Sequence, residues 1–295
     1  MTKNKFLSLI EKLKNFAKRK ETLRILTVLS LLYTLLLLFL SRKEISLIDW
    51  DKSLPVFFQV FLLYFSSHLI QNLAFSILLE RNLNNFIENS QIYFETILMK
   101  RMPGGFWHWI GRSQFVHNSD RIDRNIGSAN FFEFVLLLLS GISLYIGSHN
   151  VIGGLLFCII SIFLSQFSDW IFPKFGKLNI FQTIVVWGLF CIAWLSGALK
   201  FQLLVNLISP NAITFSNSLP IWTLATTVSM ITSFFPNMGL FRDFTITSLM
   251  RETINLEKIM LINAEMRVLF LSFDLLSALI VILLINLFKK KTKSG

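Results

Sequence analysis

Long uninterrupted apolar runs constrain this chain more than any other feature it has. Residues 24–40 read RILTVLSLLYTLLLLFL, and further runs cover 55–79, 129–148, 151–171, 179–206 and 261–288. About 20 predominantly apolar residues suffice to cross the ~30 Å hydrocarbon core of a bilayer. With no water there to satisfy backbone N–H and C=O groups, such segments must be helical or close into a barrel, and runs of this length and continuity are helical. The expected fold is therefore all-α, a polytopic helical membrane protein with about six full spans. Composition agrees: 54% of the 295 residues are apolar and 15% charged, against about 45–50% and about 25% in soluble domains.

The net charge of +11 reads first as topology. Residues 1–23, with Lys3, Lys5, Lys12, Lys14, Lys18, Arg19 and Lys20, form a basic, amphipathic N-terminus, and 289–295 a basic tail. Such clusters stay cytoplasmic and attract anionic headgroups. The basic arm runs straight into a span, so no nucleic acid is expected as a partner. No apolar segment ending in a small-residue cleavage site opens the chain, and a removable signal is not expected. Cys158 and Cys191 both fall within apolar runs, a placement that suggests neither a disulfide framework nor a metal site.

Two apolar segments, 88–116 and 218–250, are interrupted. SQIYFETILMKRM leads into Pro103-Gly104-Gly105 and then FWHWIGR; IWTLATTVSMITSFF leads into Pro236-Asn237-Met238-Gly239 and then LFRDF. If both are re-entrant hairpins, six crossings remain and 20 of the 28 Lys and Arg lie on the cytoplasmic side, as positive-inside bias favours. The single transmembrane domain, 24–288, then divides into halves of roughly 24–149 and 150–288, each with three crossings and one hairpin. Inverted repeats of this kind build midplane sites in transport folds. A plainer reading of the first segment is an interfacial loop, with Trp107 and Trp109 as belt aromatics.

Broken backbone inside a membrane is tolerated where protein or water satisfies it, and free N–H groups at the start of a descending arm suit an anion. Arg112 and Arg242 follow the two breaks closely, so a lipid headgroup cavity is expected around Pro103, Gly104, Gly105, Trp107, His108, Arg112, Pro236, Gly239, Arg242 and Asp243. Intramembrane charge is costly, about 2.5–3.5 kcal/mol per residue on insertion scales, and usually faces a cavity or a partner. Glu133 is expected to pair with Arg112. Arg267 and Asp274 stand at i, i+7 of the last span, with Asp274 the deepest carboxylate. Lys200 is read as snorkelling, and His68 as an interhelical hydrogen bond. For each charge a structural ion pair remains the alternative to a functional role.

At these residues the chain resembles the flippase-like transmembrane region of lysylphosphatidylglycerol synthases and their stand-alone relatives. PGGFWHWIGR (103–112) looks like that family's first Pro-Gly-Gly element. PNMGLFRDF (236–244) looks like its second, keeping Gly239 and Arg242, with Asp243 where the family has Glu and Asn237 and Met238 where small residues are usual. Glu133 and Arg267 stand where the family places a Glu and an Arg. The resemblance implies a lipid-handling domain in a plasma (inner) membrane, with both termini cytoplasmic. Only seven residues follow Phe288, so the aminoacyl-transferase activity of the two-domain synthases is not expected.

The function expected from residues and resemblance together is a flippase-like transporter or scramblase for an anionic phospholipid or glycolipid. No Walker A motif or metal cluster accompanies the breaks, and no cofactor is expected. Two alternatives stand beside it: an accessory subunit partnering a membrane glycosyltransferase or lipid synthase, and an integral-membrane enzyme using Asp243 on a lipid-linked substrate.

Overall fold

The computed structural model describes residues 50–80, 83, 85–101, 107–118, 126–166, 179–232 and 240–293, with the isolated positions Val28, Leu32 and Phe39. Its helices are α1 (Trp50–Glu80), α2 (Phe86–Glu95) continued by a 3-10 segment (Ile97–Arg101), α3 (Trp107–Asn118), α4 (Ile126–His149), α5 (Val151–Ser165), α6 (Ile180–Ile208), α7 (Phe215–Ile231), α8 (Leu240–Met250) and α9 (Leu256–Lys293). Among the described residues, four stretches are long and apolar enough to cross a membrane: Ser53–Glu80, Ile126–His149, Ile180–Ile208 and Leu256–Leu287. The amphipathic N-terminus, nearly all of the first expected span, and both Pro-Gly breaks (Pro103, Gly104, Gly105, Pro236 and Gly239) lie outside the described residues.

Helix ends follow local chemistry. The Asn179 side chain accepts the Phe181 N–H at 3.1 Å while Gln182 reaches back to the Asn179 N–H at 3.2 Å, which satisfies donors that the first turn of α6 would leave unpaired. Asn150 alone links α4 to α5, accepting the Gly153 N–H at 3.1 Å. Asn206 clasps the turn after α6, donating to the Ile213 carbonyl at 3.0 Å and accepting its N–H at 3.2 Å. Within that turn Asn211 takes a positive φ of 57°, a conformation asparagine tolerates. The last helix begins at Leu256, ahead of the apolar run expected from 261. The Asn255 side chain accepts the Glu257 N–H at 3.3 Å, and the first turn exposes Glu257 and Lys258 while burying Ile259.

The most extensive packing is α1 against α6, with α4, α7 and α9 closing around them. The two arms of each interrupted segment touch: α3 packs on α2 and the 3-10 segment, and α8 packs on α7. Apolar side chains gather into two cores. One includes Phe57, Val60 and Tyr64 of α1 with Phe201, Trp222 and Phe270. The other takes Phe75, Leu78 and Leu79 of α1 with Tyr93, Phe132 and Phe190. Between them on α1 lie Ser67, His68, Gln71 and Asn72. On α9 the division falls between Phe273 and Ala278, where Asp274 and Ser277 stand. The bundle therefore carries a polar layer between two greasy ones.

Candidate functional site

The polar layer follows from helical spacing. Tyr64, Ser67, His68 and Gln71 stand at i, i+3, i+4 and i+7, one face of α1. Trp194, Gly197 and Lys200, at i, i+3 and i+6, line a face of α6. The two faces meet because α1 and α6 pack along their length, and α9 brings Asp274 to the junction. Asp274 is 1% exposed. Its Oδ1 accepts the Tyr64 hydroxyl at 2.7 Å and lies 3.0 Å from His68 Nε2. An ionised carboxylate can only accept, so Nε2 is the protonated ring nitrogen in that state.

Lys200, 5% exposed, donates to Ser67 Oγ at 3.0 Å, and its ammonium sits 4.8 Å from the centre of the Tyr64 ring. Snorkelling is thus corrected. Lys200 lies eight residues before the end of α6, about 12 Å along the axis at ~1.5 Å per residue. The neighbouring hydroxyl and ring satisfy the ammonium inside the bundle instead. Trp194 Nε1 donates to the Leu137 carbonyl at 2.9 Å and to Ser140 Oγ at 3.1 Å, fixing its indole against α4. Gly197 has no side chain because the Trp222 indole nitrogen occupies the space a Cβ would need.

Around these groups is a cavity of about 180 Å³ whose lining includes His68, Gln71, Lys200, Trp222, Thr226 and Arg242. Its walls come from α1, α4, α6, α7, α8 and α9. Among the described residues, the lining includes side chains of the second interrupted segment and none of α2 or α3. Arg112, expected at the same cavity, lies elsewhere.

Arg112 is fully buried. It forms an ion pair with Glu133, donates to Asn130 Oδ1 at 3.2 Å, and its guanidinium lies 4.3 Å from the centre of the Phe75 ring and 4.6 Å from that of Tyr93. Two aromatic faces and a carboxylate hold it within the second core. Trp107, His108 and Trp109 open α3 half-buried, with Trp109 edge-on to Phe134 at 5.6 Å.

The charges after the second break form a third cluster. Asp243 is 7% exposed. Its Oδ1 accepts from Arg242 Nε at 3.2 Å and from the same guanidinium's terminal nitrogen at 3.1 Å. Its Oδ2 accepts from Arg267 Nε at 2.6 Å and is also ion-paired with Arg267's terminal nitrogen. Arg267 and Asp274, though i, i+7 on α9, thus serve different partners, Arg267 on α8 and Asp274 on α1. Arg242 faces the cavity and Arg267 a separate groove between α8 and α9.

These described helices decide the class. The chain is a multi-spanning helical membrane protein. No known sequence family, no curated protein and no solved structure matches it, and nothing in those comparisons ties it to the lysylphosphatidylglycerol synthase membrane region. Its lipid-facing surface is broad: among the described residues, most side chains of α5 are exposed and apolar, including Ile152, Leu155, Ile159 and Phe163.

Proposed function

We propose that this protein moves an anionic phospholipid or glycolipid between membrane leaflets, holding the headgroup in the central cavity against Lys200 and Arg242. The observation that carries the reading is two cations from different helices lining one cavity inside a bundle of spanning helices. Intramembrane charge is retained where it meets an ion, a substrate or a cavity. At about 180 Å³ the cavity falls below the roughly 300–1,000 Å³ of sites that engulf a whole drug-sized molecule. That size suits a headgroup whose acyl chains stay in the bilayer.

In this reading α7, at 17 residues, is the rising arm of a re-entrant hairpin, being shorter than the roughly 20 residues of a crossing. The bundle then sits in an inner membrane with both basic termini cytoplasmic and its halves inverted. Asp243, which an enzymatic reading would use, has both oxygens engaged by guanidinium groups, and this favours transport over catalysis.

The test is leaflet exchange of fluorescent phosphatidylglycerol in liposomes holding the full chain. Lys200→Ala combined with Arg242→Ala is expected to slow exchange by at least ~10-fold, the effect of losing one charge-assisted hydrogen bond worth about 1.5–3 kcal/mol. Exchange at the unaltered rate in that double variant would refute the assignment.

A further inference from the structure

The outer side of Asp243 presents a second opening. Between α8 and α9 runs a groove of about 470 Å³ whose lining includes Leu240, Phe244, Met260, Asn263 and Arg267. Its character is split. Leu240, Phe244 and Met260 are 59%, 71% and 63% exposed, an apolar rim of the kind that lies against acyl chains. At the inner wall the Arg267 side chain keeps 40% of its surface exposed while holding Asp243.

Asn263 adds an independent observation. It is 6% exposed, and its amide nitrogen donates to the Asp243 carbonyl at 3.3 Å and to Thr247 Oγ1 at 3.2 Å. The Thr247 hydroxyl proton is already given to the Asp243 carbonyl at 2.8 Å. Both neighbours therefore present acceptors, which fixes the amide with its nitrogen toward α8. That orientation leaves Asn263 Oδ1, which takes no hydrogen bond, as a buried acceptor on a residue that lines the groove. A buried acceptor left bare is unfavourable, so the position favours an incoming donor.

We propose that this groove binds an anionic phospholipid whose headgroup carries a hydroxyl, with phosphate on Arg267, hydroxyl on Asn263 Oδ1 and acyl chains along Leu240, Phe244 and Met260. The charge complements: Arg242 and Arg267 bring two positive charges to the single carboxylate of Asp243, so the trio accepts one negative charge. The spacing complements too, because Asn263 and Arg267 stand at i, i+4, about one helical turn or ~6 Å apart along the axis, within reach of one small headgroup. The site is independent of transport through the central cavity and stands whether or not leaflet exchange occurs.

The experiment is native mass spectrometry of the full chain released from nanodiscs of phosphatidylcholine mixed in turn with phosphatidylglycerol or phosphatidic acid. The unaltered chain is expected to retain phosphatidylglycerol over both other lipids. Arg267→Ala is expected to weaken retention about 10- to 100-fold, the effect of losing a charged hydrogen-bond partner, and Asn263→Leu about 2- to 10-fold. Met260→Trp, at an exposed position where folding is not at stake, fills the groove and removes one retained phosphatidylglycerol per chain. Equal retention of phosphatidylcholine, or undiminished retention in Met260→Trp, overturns the site. Phosphatidic acid held as firmly as phosphatidylglycerol overturns the hydroxyl contact. Displacement by soluble glycerol 3-phosphate at matched concentration overturns the lipid assignment in favour of a free phosphate ligand.

Discussion

Replacing Glu133 by Ala strips the fully buried Arg112 of its carboxylate and leaves Asn130 and two aromatic rings to hold it. Breaking a buried pair from one side costs about 3–5 kcal/mol, because the surviving charge is uncompensated, whereas exchanging both partners for apolar residues of similar volume is often near neutral. Phe75 and Tyr93 return part of this, about 0.5–2 kcal/mol for a desolvated cation–π contact. The expected net loss for Glu133→Ala is thus about 1–4.5 kcal/mol. At roughly 2–4 °C per kcal/mol for a larger domain, thermal unfolding of the detergent-purified chain should fall by about 2–18 °C. Arg112→Met combined with Glu133→Leu should lie within about 1–2 kcal/mol of the unaltered protein and keep leaflet exchange. A double variant as unstable as Glu133→Ala would refute the reasoning about uncompensated charge. One that unfolds normally yet loses exchange would show that Arg112 acts on lipid after all.

Gly197→Ala places a methyl group where the Trp222 indole nitrogen now sits; the expected cost is about 1–3 kcal/mol of overpacking, seen as a lowered unfolding temperature that Trp222→Phe partly restores. Asn206→Ala removes both hydrogen bonds to Ile213, and at about 0.5–1.5 kcal/mol each should lower stability by about 1–3 kcal/mol. Hydrogen exchange in that variant should accelerate first around residues 209–214.

Much of the fold was legible because hydropathy needs no tertiary information. The runs at 129–148 and 179–206 correspond to helices Ile126–His149 and Ile180–Ile208. Glu133 and Arg112 could be matched in advance because a carboxylate opening a span calls for a nearby cation. The central site was harder to see. The Tyr64, Ser67, His68, Gln71 face was present as an i, i+3, i+4, i+7 pattern, but a polar stripe on one helix does not name the helix it will meet. Lys200 was misread because snorkelling depends on what surrounds the ammonium, and Ser67 and Tyr64 arrive from a helix more than 130 positions away. Similarly, Arg267 and Asp274 share a stripe on α9 but stand two turns apart, about 10.5 Å, so different helices could claim them.

Among the described helices, α5 is held in place by few buried residues. Its buried residues are Gly154 and Ser161. A Cβ on Gly154 would come within 2.5 Å of the Gly147 Cα, and the Ser143 hydroxyl donates to the Gly154 carbonyl at 2.9 Å. The remaining positions answer chiefly to the solvent, and hydrocarbon distinguishes poorly among Ile, Leu, Val and Phe. Mutational tolerance along α5 should therefore be strongly one-sided, with free interchange of greasy residues outward and almost none along the narrow seam where backbone meets backbone.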